Sequence, residues 1–183
     1  MLFTRWPEPG RAKTRLIPAL GADGAAALHR RLTERAVAAC CASGLKVEVW
    51  VTGAPLADFA AWLGEHLLLV EQGDGDLGAR LARAAATAPV VLVGADIPDL
   101  TAGHLRRAAA ALADAPVVIG PAEDGGYWLL GLAAPMPPLF EGVAWGTSTV
   151  FADTVAKLAV PPVTLETLAD LDRPDDLAKW PAL

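Results

Sequence analysis

Apolar residues recur along the chain at two spacings, which alternate from segment to segment. Leu2-Phe3-Thr4 is a short apolar run ahead of a Pro- and Gly-rich stretch, the pattern of a strand entering a loop over Trp6–Leu16. From Gly24 to Ala42, Leu28, Leu32, Ala36 and Ala39 return at helical spacing. Arg30, Arg31 and Glu34 occupy the opposite face, and Gly44 ends the helix. Leu45 to Val51 alternates as a strand does. Further strands are expected over Leu67–Val70, Val90–Val93, Val117–Ile119, Tyr127–Leu132 and Val163–Leu165. Val90–Val93 is wholly apolar, which predicts a central strand buried on both faces. Helices are expected over Leu56–Leu63, Leu77–Ala86, from a Thr101 cap to near Asp114, and over Ser148–Leu158. Pro174 opens a last short helix. Strands alternating with helices predict an α/β fold with a mainly parallel sheet, as one domain over residues 1–183.

Composition narrows the function classes. Of 183 residues, 54% are hydrophobic and 20% charged, enough for a substantial core and unlike a disordered chain. A net charge of −6 argues against general nucleic-acid binding. No apolar run approaches the roughly 20 residues of a membrane-spanning helix. Adjacent Cys40 and Cys41 cannot build a disulfide framework and read as helix-buried thiols. Without a signal-peptide pattern after Met1, the expected location is cytoplasmic. The charge is uneven. Residues 1–46 carry eight basic and three acidic side chains, the remainder seven and 18. A basic opening joined to an acidic remainder suits a site for phosphate and a divalent metal; scattered surface charge is the plainer account.

Five segments carry candidate chemistry. The loop Pro9-Gly10-Arg11-Ala12-Lys13-Thr14-Arg15 sets three cations within five residues, where Gly10 permits close backbone approach and Arg and Lys grip phosphate. It is not a Walker A loop, because Pro7 and Ala12 stand where that motif needs glycine. Gly73-Asp74-Gly75-Asp76-Leu77-Gly78 matches the dinucleotide spacing G-x-G-x-x-G, with Asp96 at about the usual distance beyond. Two carboxylates in that turn would repel a pyrophosphate, so contact with a nucleoside through Asp76 is the preferred role. Asp96 follows the Val90–Val93 strand and suits Mg²⁺, which takes one or two carboxylates plus phosphate oxygens; a turn or capping role is the alternative. In Gly120-Pro-Ala-Glu-Asp-Gly-Gly-Tyr127, the N–H groups of Gly125 and Gly126 would meet a ligand that Asp124 orients, unless the segment is a plain hairpin turn. Asp170 and Asp172 alternate at a strand end, so that one faces the cleft. His29, His66 and His104 lack metal-ligand spacing and read as surface residues.

In this order, Pro9-Gly10-Arg11-x-Lys13-Thr14-Arg15-Leu16, Gln72-Gly73-x-x-Asp76-Leu77-Gly78, Gly94-x-Asp96-x-Pro98, Gly120-Pro121-x-x-Asp124-Gly125-Gly126-Tyr127 and Asp170-x-Asp172-x-Pro174 resemble a bacterial family of the glycosyltransferase-A superfamily. That family carries the label of a glycosyltransferase associated with radical-SAM/selenium-domain proteins. More distantly, the chain is similar to guanylyltransferases that act on phosphoenolpyruvate or phospholactate. The resemblance implies a three-layer α/β/α sandwich with a nucleotide across its N-terminal half, and Mg²⁺ (or Mn²⁺) on Asp96, Asp170 and Asp172. Members of that family place apolar residues before the position of Leu2, so strand one is expected to be short here.

The expected activity is a Mg²⁺-dependent transfer of a glycosyl group from a nucleoside-diphosphate sugar to a small-molecule acceptor. The alternative is nucleotidyl transfer from a nucleoside triphosphate, in which Lys13 and Arg15 stabilise the departing pyrophosphate. A NAD-dependent oxidoreductase using Gly73, Gly75 and Gly78, or a nucleotide-binding regulator without turnover, completes the set.

Overall fold

The computed structural model describes residues 1–183. β1 (Leu2–Arg5) is an interior strand of a seven-stranded sheet with β2 (Glu48–Thr52), β3 (Leu68–Glu71), β4 (Val90–Gly94), β5 (Val117–Pro121), β6 (Tyr127–Leu132) and β7 (Val163–Thr164). The spatial order is β3-β2-β1-β4-β6-β5-β7. Only β6 runs against the others, pairing antiparallel with β4 and β5. Its reversal follows from the short 122–126 connection, since a parallel return needs a crossover of a dozen or more residues.

Alternation along each strand divides the core between the two sheet faces. Leu2, Val49, Val51, Val93 and Val118 face α1 (Ile17–Ala42), α2 (Leu56–Leu63) and α4 (Ala102–Ala111), which contribute Ala36, Val37, Phe59, Leu105 and Ala108. Trp50, Leu92, Ile119 and Leu130 face the other way, toward Leu81, Ala84 and Ala85 of α3 (Leu77–Ala85) and toward Leu139 and Phe140. α5 (Val150–Ala156) packs Phe151 and Val155 on that second face. The three layers expected from the resemblance are therefore present. Strand β4 is buried as its wholly apolar sequence implies, between β1 and β6.

Differences from the sequence reading have local causes. α1 begins seven residues earlier, at Ile17, and bends at Gly21 (φ 71°, ψ 168°), a conformation only glycine adopts cheaply. The loop before it contains a 3₁₀ turn, Thr14–Leu16, and the last helix is also 3₁₀, Pro174–Lys179. Asp170 and Asp172 lie in no strand; the segment touches the sheet through a single bridge, Ala122 to Leu168. His29 and His104 are buried rather than superficial. His104 completes the cap of α4: its Nδ1 accepts from Thr101 N–H, and Thr101 Oγ1 accepts from His104 N–H. Of the two thiols, Cys40 is buried, which pushes its pKa up to about 11, while Cys41 is exposed.

The chain builds β1, β2 and β3 to one side and β4 onward to the other, so the order reverses between β1 and β4. Crevices at such switch points, beyond the strands' carboxyl ends, are where open α/β sheets bind ligands.

Candidate functional site

A cleft of about 500 Å³ opens at that reversal. Its floor is the end of β1 and β4, with Phe3, Thr4, Val93 and Gly94; its walls include Arg15, His29, Gln72, Arg80, Asp96, Asp124, Asp170 and Asp172. Six of the predicted residues therefore meet here: Arg15, Asp96, Asp124, Gly126, Asp170 and Asp172. Gly10, Arg11, Gly73, Asp76, Gly78 and Gly125 do not line the cleft.

Lys13, expected to grip phosphate, sits under the cleft wall with its side chain only 3% exposed. Its backbone adopts the left-handed region (φ 48°, ψ 46°), where a residue with a side chain is held at some cost. Lys13 Nζ donates to Leu171 O at 2.6 Å and lies 2.6 Å from Asp96 Oδ1 and 3.7 Å from Asp172 Oδ1. Arg15 Nη1 donates to Asp172 Oδ2 at 2.6 Å. Leu171, fully buried with Leu16, Leu28 and Leu32, anchors the segment between the two acids. Leu171 N–H donates to Asp96 O at 3.0 Å. The basic loop and the acidic tail thus neutralise each other across the site.

Asp96 has two unlike oxygens. Oδ1 is buried against Lys13 in a charge contact that leaves it without an aligned hydrogen bond, while the side chain as a whole is half-exposed to the cleft. Burial alone would raise its pKa, but Lys13 and His29 outweigh burial and hold it below the usual value. Asp170 goes the other way: burial, then Asp124, and with them Asp172 and Asp176, raise its pKa. Asp124 Oδ1 accepts from Gly126 N–H at 2.8 Å and has no cation partner. Asp124 and Asp170 are thus the uncompensated acids of the cleft. No three acidic, histidine or cysteine side chains converge on a single point.

The glycine run has a structural account. Asp76 caps α3, its Oδ1 accepting from Ala79 N–H at 2.8 Å, and it stands outside the cleft lining. Gly73 and Gly75 hold positive φ, as the turn requires. A Cβ on Gly78 would stand 2.6 Å from Trp145 Nε1 and 2.8 Å from Phe140 O. One on Gly125 would stand 2.1 Å from Ser148 O. These two glycines seat the 140–151 segment, whose Trp145 and Val150 form the cleft's far wall. Arg11 is exposed and pairs with Glu8 at 3.5 Å.

A model of a family described as "uncharacterized protein conserved in bacteria (DUF2064)" matches residues 33–147. A structure from Desulfovibrio desulfuricans G20, provisionally named a nucleotide-diphospho-sugar transferase, is 32% identical with a TM-score of 0.89. The alignment covers 94% of this chain and 80% of that one. The chain belongs to the DUF2064 family. The family match includes Gln72, Asp96 and Asp124 and leaves Lys13, Arg15, Asp170 and Asp172 outside its bounds. Two further structures share the fold. Rv0371c of Mycobacterium tuberculosis H37Rv, solved as a manganese complex, is 18% identical with a TM-score of 0.56, over 97% and 95% of the two chains. CMP:2-keto-3-deoxy-manno-octonic acid synthetase, solved with CTP, is 12% identical with a TM-score of 0.51, over 97% and 94%. No curated protein sequence matches the chain.

Several cleft residues, among them His29, Gln72 and Arg80, were not among the predicted site residues. His29 Nε2 lies 3.0 Å from Arg5 O, and a carbonyl only accepts, so Nε2 carries a proton; Nδ1 lies 3.8 Å from Asp96 Oδ1. Burial lowers the His29 pKa, against the opposing pull of Asp96. The available signal was His29 and Thr33, one turn apart on the apolar face of α1, where Thr33 Oγ1 bonds Thr4 Oγ1 at 2.9 Å. Gln72 is buried, its Nε2 donating to Thr4 O at 2.8 Å and Trp50 O at 2.9 Å, and so closes the ends of β1 and β2.

Proposed function

We propose that the cleft binds a nucleotide-linked donor with Mg²⁺ and transfers its glycosyl group from a nucleoside-diphosphate sugar to a small-molecule acceptor. The observation that carries this reading is the convergence of Asp96, Asp124, Asp170 and Asp172 with Arg15 at the carboxyl edge of β1 and β4, in a cleft of about 500 Å³. Support comes from the 32% identical relative, provisionally named a nucleotide-diphospho-sugar transferase. The residues suit Mg²⁺ as a partner shared with phosphate rather than an ion caged by protein. Mg²⁺ is usually held by one or two carboxylates; Asp170 and Asp124 have no cation partner, and Asp96, half-exposed to the cleft, has only Oδ1 buried against Lys13. Asp96 and Asp170 would hold the ion, and Asp172 would join them by loosening its Arg15 pair. The ion would offset phosphate charge as the donor's diphosphate departs.

The protein's own groups do the rest. Lys13 fixes Asp96 and the 171–172 backbone. Arg15, half-exposed, is placed to exchange Asp172 for a departing diphosphate. Asp124, with one oxygen held by Gly126, takes the proton of the acceptor hydroxyl as that oxygen attacks the anomeric carbon and the bond to the diphosphate breaks. Nucleotidyl transfer is the second reading, in which Arg15, half-exposed in the cleft wall, would exchange Asp172 for a departing pyrophosphate. Phosphorus NMR on reactions with nucleoside-diphosphate sugars or triphosphates, across a panel of acceptors, separates the two. Release of a nucleoside diphosphate supports glycosyl transfer, and release of pyrophosphate supports the second reading.

A further inference from the structure

The cleft's cations are not equivalent. Lys13 lies against Asp96 and Asp172, and Arg15 against Asp172. Arg5 is exposed at the end of β1 without an acidic partner. Arg80, one turn into α3, also lines the cleft without a carboxylate within 4.0 Å, but it is held in place. Its Nε donates to Gly75 O at 3.0 Å and its Nη1 to Gln72 Oε1 at 3.3 Å. Both acceptors are neutral, so the charge is oriented without being cancelled. Two of the guanidinium's five N–H donors are used, leaving three for a ligand.

Gln72 makes this orientation rigid. Its amide nitrogen donates to Thr4 O and Trp50 O, which forces its oxygen toward Arg80 and ties the guanidinium to the ends of β1 and β2. Arg83, one turn further along α3, does a different job. It donates to Gln72 O and to Asp74 O, closing the turn from outside the cleft. Neither acid of the turn, Asp74 or Asp76, lies within 4.0 Å of the Arg80 guanidinium, and Asp76 instead turns Oδ1 to the α3 cap.

We propose that Arg80 is the phosphate-gripping cation of the cleft, and that the Gln72–Gly78 turn exists to present it. The ligand class is a di- or triphosphate, the anion for which a planar guanidinium fork is suited. A pre-ordered side chain loses little rotamer freedom on binding, which favours Arg80 over the unheld Arg5. The proposal rests on the reading of the cleft as a nucleotide-donor site, and the probes below separate the two.

Calorimetric titrations of inorganic pyrophosphate, nucleoside diphosphates and the bare nucleosides, each with Mg²⁺, on the intact chain and on Arg80→Gln, Arg80→Lys and Arg83→Gln test it. Arg80→Gln is expected to weaken pyrophosphate and diphosphate binding about ten- to a hundredfold and leave nucleoside binding unchanged. Arg80→Lys should fall between, and Arg83→Gln should lower the melting temperature without a phosphate-selective loss. Pyrophosphate binding that depends on Arg80, with no nucleoside diphosphate bound by the intact chain, would remove the nucleotide reading and keep the anion site. Unchanged diphosphate affinity in folded Arg80→Gln, or equal losses for diphosphate and nucleoside, would overturn the role of Arg80. Near-ultraviolet circular dichroism verifies the fold of each variant; should Arg80→Gln fail to fold, wild-type affinity in Arg80→Lys would overturn the role equally.

Discussion

At the residue scale, the decisive feature is that charges near in space are far apart in the chain. Lys13 and Leu171 are separated by 158 positions, yet share a 2.6 Å hydrogen bond. Lys13→Ala leaves Leu171 O without its donor and Asp96 Oδ1 without its counter-charge in a buried place, so it should cost about 1–3 kcal/mol. Urea unfolding checks this, and an unchanged midpoint would show that the pair contributes nothing. Asp96 and Asp170 should respond to pH with opposite signs. The folded-state pKa of Asp96 is depressed below 3.8, so its pair stabilises fully above about pH 4 and is lost as pH falls through the depressed value. Asp170 has a raised folded-state pKa, so it lowers stability as pH rises from 3.8 through that value, and the cost persists at pH 7. Asp170→Asn should therefore raise the melting temperature at pH 7 while weakening Mg²⁺-dependent nucleotide binding. Thermal scans at pH 7 with the variant and the parent chain decide it, and a lower melting temperature would contradict the assigned crowding. The three-cation loop and the acids were visible in the sequence as residue types. Their mutual neutralisation was not, because no local pattern encodes a contact across 158 residues.

At the scale of elements, periodicity located the strands and helices, and it failed where backbone geometry outweighed side-chain pattern. Leu56–Leu63 and Tyr127–Leu132 stand where the apolar pattern put them. Residues 17–23 stood unassigned between the expected loop and helix, although Pro18 suits a first helical turn and the helix bends at Gly21. The run from Gly73 to Gly78 was legible as a turn, but its purpose lay in partners distant in sequence: Trp145 and Phe140 meet Gly78. Gly78→Ala should destabilise by about 1–3 kcal/mol through overpacking and shift Trp145. Gly125→Ala should cost more, since it adds backbone strain at φ 88° to a 2.1 Å clash with Ser148 O. Denaturant midpoints and tryptophan fluorescence read both effects, and wild-type stability in Gly125→Ala would show that the 145–149 segment packs elsewhere.

At the scale of the whole molecule, topology gathers what the sequence scatters. The reversal between β1 and β4 brings the ends of both strands, the turn before α3 and the tail after β7 to one edge. The uneven charge along the chain, basic in its first quarter and acidic beyond, becomes a cleft in which two acids lack cations and Arg80 lacks an acid. That separation of opposite charges matches a ligand carrying phosphates together with a divalent cation. The most direct test is a calorimetric titration of nucleoside-diphosphate sugars bearing each of the common bases, with Mg²⁺ and again with a chelator. Saturable binding of at least one donor that weakens strongly when Mg²⁺ is removed is the expected result. Failure of every donor to bind, or binding indifferent both to the chelator and to Asp170→Asn, would contradict the account.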